Sequence, residues 1–210
     1  MMRQLEFRRL GVRDYVVTAD EMRTWTQARR PDTPDEVWFL EHEPVYTQGV
    51  SCSEPVREGA SDIPLVKSDR GGQITYHGPG QLVAYLLLDL RRQGLGVRQL
   101  VSMIEASIIE LLDQFGLTAV ARPGAPGVYV DGEKIAALGL RVRSGCCYHG
   151  LSLNVDMELK PFSRINPCGF VGLDVTSMKE QGLSVQVDEA ADALERILDA
   201  RLSGKNTDLY

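Results

Sequence analysis

Four places in the 210-residue chain combine residue types that can do chemistry. The first is Cys168, between Pro167 and Gly169 in KPFSRINPCGFVGLDVTSM. A structural thiol usually packs as a small hydrophobe in a strand or helix. This one sits in a stretch of weak periodicity, where loops collect binding and catalytic groups. A free thiol has a pKa of about 8.5, so a nucleophilic role needs a neighbouring cation to favour the thiolate. Lys134, His77 and His149 are the candidates. The second place is Lys134 itself, just after Asp131-Gly132. A lysine beside a turn is ordinarily a solvated charge, but the following IAALGL is small and apolar. Gly139 inside it marks close approach by another backbone, and a lysine at the mouth of such a surface acts as a point charge.

The third place is RGGQITYHGPGQ, Arg70 to Gln81, with glycines at 71, 72, 78 and 80. Glycine lets a ligand approach the backbone closely. The stretch lacks both the Gly-Lys-Ser/Thr of a phosphate loop and regular dinucleotide-binding spacing. One reading is a pair of tight turns around a short strand. The other is a pocket, to which Tyr76 and His77 add an aromatic plate and a titratable ring. The fourth place gathers Cys146, Cys147, His149 and Cys168. Adjacent cysteines chelate tetrahedral zinc poorly, and the usual C-x₂₋₄-C pair is missing, so no metal site is expected. There is no G-x-S-x-G elbow for a serine hydrolase.

These residues need elements to hold them. Asp14 to Arg29 reads as a helix, with Tyr15, Ala19, Met22 and Trp25 on one face. VWFLEH has strand length, residues 48 to 64 read as a long loop, and PLVKSDR as a short strand. LVAYLLLDL is apolar throughout, as in a strand covered on both faces. Val97 to Phe115 is the clearest helix, with a stripe of Val97, Val101, Ile104, Ile108, Leu111 and Phe115, stopped by Gly116. Asp131-Gly132 predicts a hairpin. SGCCYHG separates the run ending at Arg143 from LSLNVDMEL as a second reversal, giving three antiparallel strands. Asp188 to Leu202 is the last helix, with Asp188 as its N-cap, and residues 203 to 210 form a tail. The fold class is α+β, one domain over residues 1 to 210, with a small C-terminal subregion from about Pro161 as an open option.

Composition narrows the class. Hydrophobic residues are 43% and charged residues 25%, which fits an ordinary globular core. A net charge of -6 argues against a nucleic-acid partner. The start has no apolar signal region, and no run is long enough to span a bilayer. Four cysteines in such a chain point to free thiols in a cytoplasmic protein.

Three pieces in order, RGGQITYHGPGQLVAYLLLDL, GVYVDGEKIAALGLRVRSGCCYHGLSLNVDMEL and PFSRINPCGF, resemble the lipoyl(octanoyl) transferase family of lipoate biosynthesis. The resemblance runs from EHEPVYTQG through INPCG. It implies a mixed, largely antiparallel sheet flanked by helices, as in the catalytic domains of biotin protein ligases and lipoate–protein ligases. It implies transfer of an octanoyl group from octanoyl-acyl carrier protein to a lysine of lipoyl domains, those of 2-oxoacid dehydrogenase complexes and the glycine cleavage H protein. The route runs through a thioester on Cys168, with Lys134 lowering the thiol pKa. By motif, Arg70, Gly71, Gly72, Gln73, Ile74, Thr75, Tyr76 and His77 bind substrate. So do Ala137, Leu138 and Gly139, and Gly150, Leu151 and Ser152, with His149 adjoining as a pocket or acid–base residue.

The resemblance implies no cofactor, no metal and no membrane, and a monomer is the default. Ile74, Ala136, Ala137, Leu138 and Leu151 are suited to line the acyl groove. Ser144 stands where many relatives carry arginine, which shifts carrier docking onto Arg141, Arg143 and Arg164. Cys147 is a possible redox-active thiol without an evident partner. Two other functions compete: an ATP-dependent lipoate or octanoate ligase of the same fold, and a silent protein that binds acyl groups or their carrier.

Overall fold

The computed structural model describes residues 5–52, 63–165 and 174–203. In chain order, β1 (Leu5–Arg13) is followed by α1 (Tyr15–Ala28), β2 (Asp35–His42), β3 (Val45–Gln48), β4 (Leu65–Lys67), β5 (Ile74–His77) and β6 (Gln81–Asp89). Next come α2 (Leu90–Gln93), α3 (Val97–Gln114), β7 (Val120–Ala121), β8 (Val128–Val130), β9 (Glu133–Arg143) and β10 (Cys146–Asn154). A 3-10 turn at Lys160–Arg164 and α4 (Val187–Leu202) complete the order. The main sheet runs β1-β2-β6-β10-β9-β8-β7, and a small sheet runs β4-β3-β5. Only β1 with β2, and β3 with β4, pair in parallel among the described strands. This is the expected α+β architecture.

The near-continuous apolarity of β6 follows from its central place. Leu82, Ala84, Leu86 and Leu88 face the core built with α3 and α4. Val83, Tyr85 and Leu87 face a second core built with Tyr15, Ala19 and Met22 of α1. Each such side chain contributes about 1.5–3 kcal/mol by leaving water. α3 buries Leu100, Met103, Ile104, Ile108, Leu111 and Leu112 at spacings of three and four. Val97, expected on that stripe, is instead exposed, and it lines a cavity together with Val101.

Several other expectations change. Leu5–Arg13 is a strand that apolar periodicity does not reveal. It pairs with β2 at the sheet edge, and its arginines are spent on ion pairs, Arg8 with Glu36 and Arg9 with Asp192 and Glu195. The second reversal is only Ser144-Gly145, both at positive φ, as a two-residue hairpin requires. Cys146 to His149 therefore belong to β10. Cys147 is fully buried and its thiol donates to the Leu86 carbonyl at 3.2 Å. Burial pushes that thiol up to about 12, which removes it as a redox candidate. The N-cap of α4 is Gln186, with Asp188 in the first turn, where a negative charge suits the helix dipole. Met178, Val185 and α4 join the main core, so the described C-terminal residues form no separate lobe. Among the described residues no helix is long and apolar enough to cross a membrane.

Candidate active site

The site is built on the β9–β10 ladder. Gly139 and Gly150 face each other across it. A Cβ on Gly150 would stand 2.0 Å from the Ala84 carbonyl oxygen, so only glycine lets β10 lie against β6 here. A Cβ on Gly139 would stand 3.0 Å from Arg70 Cδ and 3.1 Å from the Gly71 oxygen. The glycine-rich loop crosses the ladder at that gap. Gly71 N–H donates to the Leu140 carbonyl at 2.9 Å. Arg70 is buried and holds the loop from inside. Its Nε donates to Thr47 Oγ1 at 3.1 Å, its Nη2 to the Thr47 carbonyl at 2.6 Å and its Nη1 to the Gly71 carbonyl at 3.0 Å.

Beneath this loop lies a cavity of about 370 Å³. Its wall contains Arg70, Gly71, Gly72, Gln73, Ile74, Thr75 and His77, then Lys134 with Ala136, Ala137, Leu138 and Gly139, then His149, Gly150, Leu151 and Ser152. The three stretches predicted to bind substrate thus converge on one space. Tyr76 is the exception. Its ring packs instead with Tyr46 and Phe162.

At one end stands Lys134, 3% exposed. Its Nζ donates to the Pro126 carbonyl at 3.1 Å and lies 5.2 Å from the Tyr129 ring centroid. Its backbone is pinned from the other side: Lys134 N–H donates to the Asp174 carbonyl at 2.9 Å, and Thr176 N–H donates to the Lys134 carbonyl at 3.0 Å. Cys168 lies outside the described residues. Ile165, before that segment, is buried against the cluster of Tyr46, Tyr76 and Phe162.

All three histidines of the chain are buried around the other end. His77 Nδ1–H donates to Gln81 Oε1 at 2.6 Å. His42 donates from Nδ1 to the Arg13 carbonyl at 2.9 Å and accepts from the Tyr85 hydroxyl at 2.7 Å. Burial lowers His42 to about 4 and His77 well below the ordinary histidine value, so both rings are neutral near pH 7. His149 is lowered too, by burial, against the opposing pull of Asp69. Of the three cations proposed to stabilise a thiolate, only Lys134 remains.

His149 also has φ +61°, a conformation that costs a non-glycine residue about 1–3 kcal/mol. The turn breaks strand alternation and brings its ring onto the Tyr148 ring, centroids 5.0 Å apart. Both then reach Asp69. His149 Nε2–H donates to Oδ1 at 2.9 Å, and the Tyr148 hydroxyl donates to Oδ2. The His149 bond is the main cause holding the Asp69 carboxyl well below the usual carboxylate range. The sequence reading passed over Asp69, Thr47, Tyr15 and Tyr85. The one signal for Asp69 was its place directly before Arg70.

Residues 15–199 match the family described as the lipoyl protein ligase A/B catalytic domain. The chain belongs to this family. An octanoyltransferase of Pseudomonas putida (strain W619) is 55% identical over 190 residues, 90% of this chain and 88% of the relative. An octanoyltransferase of Aromatoleum aromaticum is 57% identical over 196 residues, 93% of this chain and 84% of the relative. Among solved structures, a lipoate-protein ligase A bound with ATP matches with a TM-score of 0.78 at 16% identity, covering 96% of this chain and 86% of that one. A biotin protein ligase from Aquifex aeolicus in complex with biotin and ATP matches with a TM-score of 0.59 at 14% identity, covering 96% and 71%. At such identities these two likenesses are of fold alone.

Proposed function

We propose that this chain transfers an octanoyl group from octanoyl-acyl carrier protein to a lysine of a lipoyl domain, through a thioester on Cys168. The relatives named octanoyltransferase support the acyl group. The observation that carries the mechanism is the position of Lys134, buried in the cavity wall and bonded through its backbone to the residues that follow the Cys168 segment. In the sequence, Cys168 follows the anchored Ile165 by three residues.

In the first half-reaction the Cys168 thiolate attacks the carrier thioester carbonyl. A carbon–sulfur bond forms, the carrier's carbon–sulfur bond breaks, and the carrier thiolate leaves and takes up a proton from the Lys134 ammonium, which is left as the neutral amine. Two thioesters of similar energy are exchanged, so the enzyme supplies mainly thiolate and geometry. The Lys134 ammonium favours the thiolate by its charge. In the second half-reaction the neutral lysine amine of the lipoyl domain attacks octanoyl-Cys168. An amide bond forms, the Cys168 thiolate departs, and the surplus proton passes to a base, a role Lys134 can serve. The octanoyl tail lies along Ala136, Ala137, Leu138 and Leu151. At about 0.8 kcal/mol per CH₂, its burial contributes several kcal/mol. Arg141 and Arg143, both exposed at the end of β9, offer positive charge to an acidic carrier protein.

The test is a reconstituted transfer: octanoyl-acyl carrier protein, an unmodified lipoyl domain and this protein, without ATP. The expected result is a lipoyl domain heavier by one octanoyl group. Modification only from free octanoate plus ATP would replace this reading with the ligase.

A further inference from the structure

We propose that Asp69 and His149 form a positioning clamp that closes the far end of the cavity and so sets the length of acyl chain it accepts. The inference rests on the octanoyltransferase reading, with the acyl carbonyl beside Lys134.

The clamp joins the roots of two cavity walls. Asp69 directly precedes the loop that covers the cavity, and His149 directly precedes the Gly150–Ser152 stretch of its floor. The cross-strand partner of His149 is Leu140, whose carbonyl accepts from Gly71 N–H. The loop is therefore fastened on one rung of the ladder through two bonds: Asp69 to His149 by side chain, and Gly71 to Leu140 by backbone. On the next rung toward Lys134, Gly139 and Gly150, Arg70 and Gly71 pass over the ladder.

The distances fit a tail stop. Lys134 and Leu140 are six residues apart on β9, or about 20 Å. The lysine side chain covers part of this. β8 runs antiparallel with Val128 opposite Ala136, so Pro126 lies further along β9, and Lys134 Nζ bonds the Pro126 carbonyl. An extended chain advances about 1.2 Å per bond, which gives about 6 Å for the lysine side chain and about 8 Å for octanoyl. Laid end to end with a non-bonded contact of about 3.5 Å between them, they span about 17 Å and reach the Gly139–Gly150 rung, just short of the clamp. Two further carbons drive a tail into the crossing.

Ring contacts with Tyr148 and Tyr85 hold His149 in place, but its one side-chain hydrogen bond among the described residues is to Asp69. The His149 backbone is at φ +61°. Its Nδ1 has no hydrogen-bond partner among the described residues, so the ring's hydrogen bonding rests on Nε2 and Asp69. Asp69 is a third exposed, so its replacement leaves the hydrophobic cores intact.

The experiment compares kcat/KM for octanoyl and decanoyl donors in the wild type, Asp69→Ala, His149→Phe and His149→Gln. One methylene in a fitted apolar pocket is worth about tenfold or more in discrimination. Asp69→Ala and His149→Phe should raise the decanoyl-to-octanoyl ratio by about tenfold or more. His149→Gln, whose amide N–H still reaches Asp69, should stay near the wild-type ratio. A merely structural role lowers both rates together. The clamp is overturned if the ratio in Asp69→Ala remains within about twofold of wild type, or if Gln relaxes it as much as Phe. Wild type that transfers neither chain would remove the octanoyltransferase reading itself.

Discussion

The two ends of the β9–β10 wall are built in opposite ways. At the Lys134 end a buried lysine is held by a backbone carbonyl and an aromatic face, and its backbone is bonded to Asp174 and Thr176. At the His149 end, neutral histidines, tyrosines and Asp69 fix one another through short side-chain bonds. The contrast separates labour. A charge in a poorly solvated wall acts strongly on any thiolate brought near it, since low dielectric magnifies Coulomb terms. A polar network of this kind does no such chemistry but gives the cavity a fixed shape.

Substitutions at the two ends should therefore fail differently. Lys134→Ala should lower turnover by about 10²–10⁴-fold while the urea unfolding midpoint changes little. If activity and stability fell together, Lys134 would be a structural residue like those at the other end. Gly150→Ala should do the reverse. With 2.0 Å between the added Cβ and the Ala84 oxygen, β10 must move off β6, at a cost of about 3 kcal/mol. Urea unfolding reads that loss directly.

Acid should undo the histidine end first. Between pH 6.5 and about 4 the unfolded chain binds a proton at His42 that the folded chain refuses. Stability must then fall as pH drops through that window, by on the order of 3 kcal/mol for His42 alone. The lowered His77 and His149 act in the same direction. Unfolding free energies at pH 7.5, 6 and 4.5 check this, and a flat profile would mean that the rings take up protons as readily in the fold as in the unfolded chain. The smallest effect is expected from Gly139→Ala. Its Cβ meets Arg70 Cδ at 3.0 Å and the Gly71 carbonyl oxygen at 3.1 Å, contacts that a shift of the loop by a few tenths of an ångström relieves, so a several-fold rise in KM, with about 1 kcal/mol of destabilisation, is the forecast.

How much of this could be read from sequence follows from the range of each interaction. α3, β6 and the Asp131-Gly132 hairpin are set by local pattern and were legible. β1 was not, because an edge strand whose arginines pair with partners far along the chain has weak apolar alternation. The three stretches expected to bind substrate were legible by resemblance to a family, and they meet in one cavity. Tyr76 does not line that cavity, because its ring packs against Tyr46 and Phe162, and the Phe162 contact is made far along the chain. Asp69 was missed because its meaning depends on His149, eighty residues on. The neutral state of His77 was likewise hidden, since burial is the main cause that lowers it.

The central claim is an acyl-enzyme on Cys168 formed under the influence of Lys134. It is tested most directly by the intact mass of this protein after mixing with octanoyl-acyl carrier protein, without ATP and without a lipoyl domain. The account predicts a gain of one octanoyl group that hydroxylamine removes, absent in Cys168→Ser and slowed in Lys134→Ala. An unmodified wild type that still octanoylates a lipoyl domain would contradict it.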